Sequence, residues 1–193
     1  DLYKNNRLQY SFLTEDEFLI LDINGNLVKK ISHKKSSSEK FLSVFDYDNN
    51  RNYRFVIQDG KSLKMLDSKL NTVKGFKRDK LNSDIKFPIK HVRILNKDYL
   101  LLVSKNNKPL ILDRRGNIRI KLPENFTTST NHFYENDGGI ITINDLNQLV
   151  RIELNGKISS KQLPDQKNII HSNKNNLIVL SNGNITINNI EYK

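Results

Sequence analysis

The sequence predicts an all-β fold of the β-propeller type, and three observations carry that prediction. The first is composition. Among 193 residues there are 27 Asn and 23 Lys but no Ala and no Trp. A helical bundle is a poor fit to a chain that lacks the best helix former and is rich in Asn. The second is a repeat. A short apolar run, an acidic residue, a polar turn and an alternating segment recur with acids at Asp22, Asp67, Asp113 and Glu153, in steps of 45, 46 and 40 residues. That period is the length of a propeller blade of four short strands. The third is a gradient within each period, from a wholly apolar run to a segment that alternates apolar and basic residues, as expected for an inner strand and a half-solvated outer one.

The elements follow in order. Phe18-Leu19-Ile20-Leu21 leads into Asp22, the Asn24-Gly25 turn, and Leu27 to Ile31. Leu63 to Leu66 leads into Asp67 and a turn through Asn71, then Thr72-Val73. Val92 to Leu95 reads as a first strand, Tyr99 to Val103 as a fully buried second, Pro109 to Leu112 as a third, and Ile118 to Leu122 as a fourth. Leu149 to Ile152 leads into Glu153, Asn155-Gly156 and Ile158. Blades are expected at 1–33, 40–78, 86–122, 130–163 and 168–193, with the middle three complete and the first and last partial. The sum is about 4.5–5 four-stranded antiparallel blades in one partial propeller domain over 1–193, whose incomplete ends suggest either closure by joining the two termini or, as the favoured reading, an arc of a larger propeller. The Asn-Gly and Gly-Asn pairs predict type I′ turns, which need positive φ at both central residues. The repeated acids Asp22, Asp67, Asp113 and Glu153 are expected to pin those turns by accepting backbone N–H bonds. Repetition at every blade argues for architecture rather than catalysis.

Charge and composition exclude several classes. No apolar run is long enough to span a membrane. With no Cys there is no disulfide frame, thiolate zinc site or thiol nucleophile. The net charge of +11 invites a nucleic-acid or other polyanion partner. The basic residues are scattered, however, and AT-rich codons for Lys, Asn and Ile account for the balance without one. The chain begins at Asp1 rather than Met and carries no signal-peptide core, so it reads as a portion of a longer protein.

Several segments resemble the propeller-like C-terminal region of an uncharacterised family of Bacteroidota cell-envelope proteins. They are Leu8-Gln9-Tyr10, Val44 to Phe55 with its Asp-Tyr-Asp-Asn-Asn core, Lys97-Asp98-Tyr99, and Ile111 to Arg119 with its Leu-Asp-Arg-Arg-Gly core. The resemblance covers most of residues 1–122. It implies a bacterial envelope or periplasmic setting and supplies no catalytic residues. The blade pattern is also similar to quinoprotein-like and WD40-like propellers, but the absence of Trp speaks against a quinone cofactor.

A search for chemistry yields one metal candidate. Asp46, Asp48 and Asn50 match the first three ligand positions of a calcium loop, and Asn52 offers a carbonyl. Arg51, Arg54 and Gln58 then stand where that loop wants Gly, a further ligand and Glu. His33, His91, His132 and His171 lack zinc spacing. No nucleophile elbow or phosphate loop is present. Most of the aromatic residues on strands, among them Tyr10, Phe12, Phe45, Phe55, Tyr99 and Tyr134, are expected to fill the core. Phe87 and Phe126, in loops, are the aromatics expected to be free to bind. The leading expectation is a non-catalytic scaffold that binds a protein partner, with no cofactor. The second is a glycan- or small-ligand-binding propeller, or a hydrolase with acids at the central channel. The third is polyanion binding.

Overall fold

The computed structural model describes residues 1–164, 168–181, 183–188 and 190–192, the last three by backbone only. Among these residues there are eighteen strands and no helix. No helix is therefore long and apolar enough to cross a membrane. Five sheets result, each a run of consecutive antiparallel strands. The chain divides into two compact units, Asp1–Ile89 and Lys90–Lys193.

In the first unit, β1 (Gln9–Leu13), β2 (Glu17–Asp22) and β3 (Leu27–Ser32) form one sheet. A second contains β4 (Lys40–Phe45), β5 (Arg54–Asp59) and β6 (Ser62–Leu66). The four-stranded blade expected over 40–78 therefore stops at three strands. After the Asp67 turn the chain makes one bridge, Leu66 to Thr72, and the Val73 N–H donates to the Met65 carbonyl at 2.9 Å. Gly75 then takes φ +89°, and no ladder follows. The segment around Asp79–Leu81 returns beside the start of β6, where the Leu63 N–H donates to Asp79 O and the Leu81 N–H to Lys61 O. The core of this unit packs Leu2, Phe18, Ile20, Phe55, Ile57, Leu66 and Leu70.

The second unit holds three four-stranded sheets. The first contains β7 (Lys90–Ile94), β8 (Lys97–Val103), β9 (Pro109–Leu112) and β10 (Ile118–Ile120). The next contains β11 (Tyr134–Asn136), β12 (Gly139–Ile143), β13 (Gln148–Ile152) and β14 (Ile158–Gln162). The last contains β15 (Ile169–Ser172), β16 (Leu177–Ser181), β17 (Asn184–Ile187) and β18 (Ile190–Tyr192). The segment 168–193, expected to be a partial blade, thus carries four strands; residues 182, 189 and 193 lie outside the described residues. The apolar run Tyr99 to Val103 is buried on both faces, as its lack of alternation requires.

The first strands of successive sheets lie side by side: β1 next to β4, and β11 next to both β7 and β15. Ser172 ties one such pair together, its hydroxyl donating to the Glu135 carbonyl at 3.0 Å. The Asn136 side chain donates to the same hydroxyl at 3.2 Å.

Two aromatic expectations fail. Tyr10 and Phe12 are 54% and 47% exposed, because they alternate away from the face of β1 that shares a side with buried Phe18 and Ile20. Phe126 is buried: its N–H donates to the Pro123 carbonyl, and that turn brings the ring inward.

Candidate functional site

The repeated acids build a recurring turn. At Asp22, the Asn24 and Asn26 N–H groups donate to Oδ1 at 2.9 and 2.8 Å, and the Asn26 side chain donates to Oδ2 at 3.0 Å. Asp67 receives Lys69 N–H at 2.8 Å and Asn71 N–H at 2.9 Å. Asp113 receives Arg115 N–H at 2.8 Å, Asn117 N–H at 2.9 Å and the Asn117 side chain at 3.0 Å. Each turn is closed by the acid's own N–H donating to the residue four on, and by the residue three on donating back.

Only that third residue takes positive φ: Gly25 at 84°, Leu70 at 66° and Gly116 at 82°. These are type I turns followed by a left-handed bulge residue, not the type I′ turns expected from the Asn-Gly pairs. A separate one-residue slip in register follows inside the β2–β3 ladder, between Ile20 and Leu21.

Glu153 departs from the pattern. Its backbone closes the same turn, with Gly156 at φ 90°. Its longer side chain instead accepts from Arg151 Nε at 2.8 Å, and Asn155 takes the Lys157 N–H at 2.9 Å. Asn144 does what an Asp would, receiving Leu146 and Gln148 N–H groups at 3.1 and 2.9 Å. Ser104 supplies a reduced version, receiving Lys108 N–H at 3.1 Å. Neither position is acidic, so a search for recurring acids passes over them.

Hydrogen bonds bear on the acidity of Asp22 and Asp113. The Asn26 side chain, then its backbone, hold Asp22 below the usual carboxylate range. For Asp113 burial pushes upward, but the bonds from Asn117 and Arg115 together outweigh it and the net shift is down. A lowered folded value means the stabilisation is present above the unfolded value near 3.9 and is lost as pH falls through the folded one. Asp113→Ala is expected to cost about 1–2 kcal/mol at pH 7, and Glu153→Ala about 0.5 kcal/mol or less. Urea titrations at pH 7 and pH 3 check this: the Asp113 difference should shrink at the lower pH.

The calcium candidate is organised as a loop clasp. Asp46 Oδ1 and Oδ2 accept the Asn50 and Arg51 N–H groups at 3.1 and 2.7 Å. Asn50 Oδ1 accepts Asn52 N–H at 3.0 Å, and Asn52 Oδ1 accepts Lys4 Nζ at 2.9 Å. Arg51 reaches Asp1 at 2.7 Å. Among the described residues no group of three His, Asp or Glu side chains could hold a metal. The side-chain oxygens of Asp46, Asn50 and Asn52 already meet donors, and two cations, Lys4 and Arg51, stand within the loop's contacts. Addition of 1 mM calcium is expected to leave the melting temperature unchanged, checked by thermal scans with calcium and with chelator.

Two clusters in the second unit escape local sequence patterns. Asp98, at the start of β8, is 2% exposed. His91 Nε2 lies 2.8 Å from its Oδ1, and Arg114 Nε donates to Oδ2 at 2.8 Å, with a second Arg114 bond to the same oxygen. Arg93 stands 3.9 Å from Oδ1. The other cluster joins three first strands. Lys90 Nζ on β7 sits 3.8 Å above the centre of the Tyr134 ring on β11. His171 on β15 meets that ring edge-on at 5.0 Å, and His132 lies parallel to it at 6.4 Å. Burial lowers the basicity of Lys90. Of the four histidines, His132 and His171 are brought to one ring, whereas His91 serves Asp98 and His33 lies near Lys40.

Repeated sheets of three or four up-and-down antiparallel strands, with their first strands adjacent, define a β-propeller-type protein. Solved structures agree on the fold. A chain in the crystal structure of BBS1N in complex with ARL6DN, soaked with mercury, is similar with TM-score 0.63 and 12% identity, over 94% of this chain and 60% of that one. One in the complex structure of the fission yeast SREBP-SCAP binding domains gives TM-score 0.60 and 16% identity, over 93% and 54%. A protein of unknown function from Bacteroides caccae gives 0.51 and 12%, over 96% and 72%. The chain thus spans between half and two thirds of the first two structures. No protein-family model and no curated protein sequence matches it.

Proposed function

We propose that this chain is a non-catalytic propeller-type scaffold that binds a protein partner, in the bacterial cell envelope. One observation carries the binding role. The β1–β3 sheet buries one face through Phe18 and Ile20 and leaves the other apolar and open, with Tyr10, Phe12 and Leu27 exposed. Tyr10 pairs with Leu21 and Phe12 with Leu19, so these side chains share that open face. Clustered exposed apolar side chains mark association surfaces, whereas scattered ones need no explanation. Two of the similar solved structures are complexes, which supports the same reading. The envelope setting rests on the sequence resemblance. The absence of a catalytic role is part of the proposal, since the buried acid Asp98 is engaged by Arg114 and His91 rather than poised toward a substrate.

The test places a photo-crosslinking amino acid at position 12 of the intact protein in its native cells. A discrete crosslinked protein is expected, and it should be lost with Tyr10→Asp. The absence of any specific crosslink from this face, with crosslinks forming elsewhere on the chain, would remove the proposal.

A further inference from the structure

We propose that Lys90, His132, Tyr134 and His171 form a binding site for a small ligand that carries a carboxylate or phosphate group. The site lies within the second unit and is independent of the apolar face formed by β1–β3.

The geometry places one ammonium, two imidazoles and a phenol around a single ring. Lys90 Nζ covers the face of Tyr134 at 3.8 Å. The Tyr134 hydroxyl lies 3.5 Å from His132 Nδ1, and the two rings are parallel within 4°. His171 approaches the same ring at 61°. Three adjoining strand regions, β7, β11 with its approach, and β15, each contribute, so the backbone holds the groups together.

What the cluster lacks, among the described residues, is an anion. Lys90 is half-buried, and among the described residues no carboxylate pairs with it; burial lowers its basicity. A ring face offsets only part of the hydration an ammonium gives up. A paired oxyanion would offset more, because charge-assisted bonds are about twice as strong as neutral ones. Structural lysines in this chain behave differently: Lys30 pairs with Glu17 at 2.7 Å. His132 and His171 are exposed, so the cluster is open to a ligand. Their ring N–H groups and the Tyr134 hydroxyl add donors around the cation, which suits an acceptor-only group such as carboxylate or phosphate.

The experiment follows acetylation of Lys90 by an activated acetate ester, read by peptide mass spectrometry, at constant ionic strength set with sodium chloride. Exposed Lys161 is the internal control. Inorganic phosphate or acetate is expected to slow modification of Lys90 at least threefold relative to Lys161. In parallel, the ring signals of His132 and His171 should shift on addition of the same anion and stop shifting in Lys90→Met. Protection by phosphate alone assigns a phosphate ligand, by acetate alone a carboxylate, and by both the shared oxyanion chemistry. Equal modification with either anion and with chloride, or histidine shifts that persist in a folded Lys90→Met, would overturn the proposal.

Discussion

Asp98→Ala is expected to destabilise the second unit by about 3 kcal/mol, toward the lower end for breaking a buried ion pair. Asp98 is almost wholly buried, while the Arg114 and Arg93 side chains keep 39% and 37% of their exposure. Removing the carboxylate leaves two guanidinium groups and His91 facing one another across an apolar floor of Leu100 and Leu112. Water can still reach the arginines, which holds the cost at the lower end. For a chain of this size the shift in melting temperature should be about 6–12 °C. Asp98→Asn retains the shape and one acceptor and should cost less. The discriminating measurement is a double-mutant cycle with Arg114→Met. If the loss comes from the stranded cations, the double variant should recover part of it. A double variant as unstable as the sum of the singles would show that Asp98 acts through packing alone. Salt should change the effect little, because a pair with one buried member is weakly screened.

This network also shows where reading the sequence stops. The turn acids Asp22, Asp67 and Asp113 are local features: an acid, a polar residue two places on, a residue that takes positive φ, and an Asn four places on. Everything such a turn needs lies within five residues, so a recurring pattern exposes it. Glu153 shares the spacing, but its extra methylene and the neighbouring Arg151 take its carboxylate elsewhere. The turn type is misread for a related reason. Asn-Gly pairs favour type I′ only when the strands register across two residues, and here the acid pairs with the residue four on, leaving three residues in the loop.

The Asp98 and Lys90 clusters have no local signature at all. Asp98 draws its partners from 7 and 16 residues away, and Lys90, Tyr134 and His171 come from three different sheets. Pairing within one sheet gathers the Asp98 partners and adjacency of first strands gathers the Lys90 set, and sequence reports a strand's period, not its neighbours. The same limit explains the exposed Tyr10 and Phe12. Alternation places them on one face of β1, while whether that face is covered depends on what packs there.

The two faces of that first sheet give the other large effect. Phe18→Ala is expected to cost about 3–5 kcal/mol, whereas Phe12→Ala should fall within about 0.5 kcal/mol of the parent. The residues are nearly opposite, since Phe18 pairs with Leu13 and Phe12 with Leu19. They differ in which way the pleat turns them. Phe18 has no exposed surface and packs on Phe55 with ring centres 5.1 Å apart, in a core shared with Ile20, Ile57 and Leu66. Its removal takes away a large apolar area and leaves a cavity walled by strands from two sheets, which cannot close without breaking ladders. Phe12 gives up little on truncation, because about half of it already faces water. Urea denaturation of both variants reads the contrast directly. A Phe12→Ala chain that unfolds as readily as Phe18→Ala would mean that the outer face is needed for the fold itself. A stable Phe12→Ala that no longer captures its partner would separate folding from binding on a single sheet, the division a docking face requires.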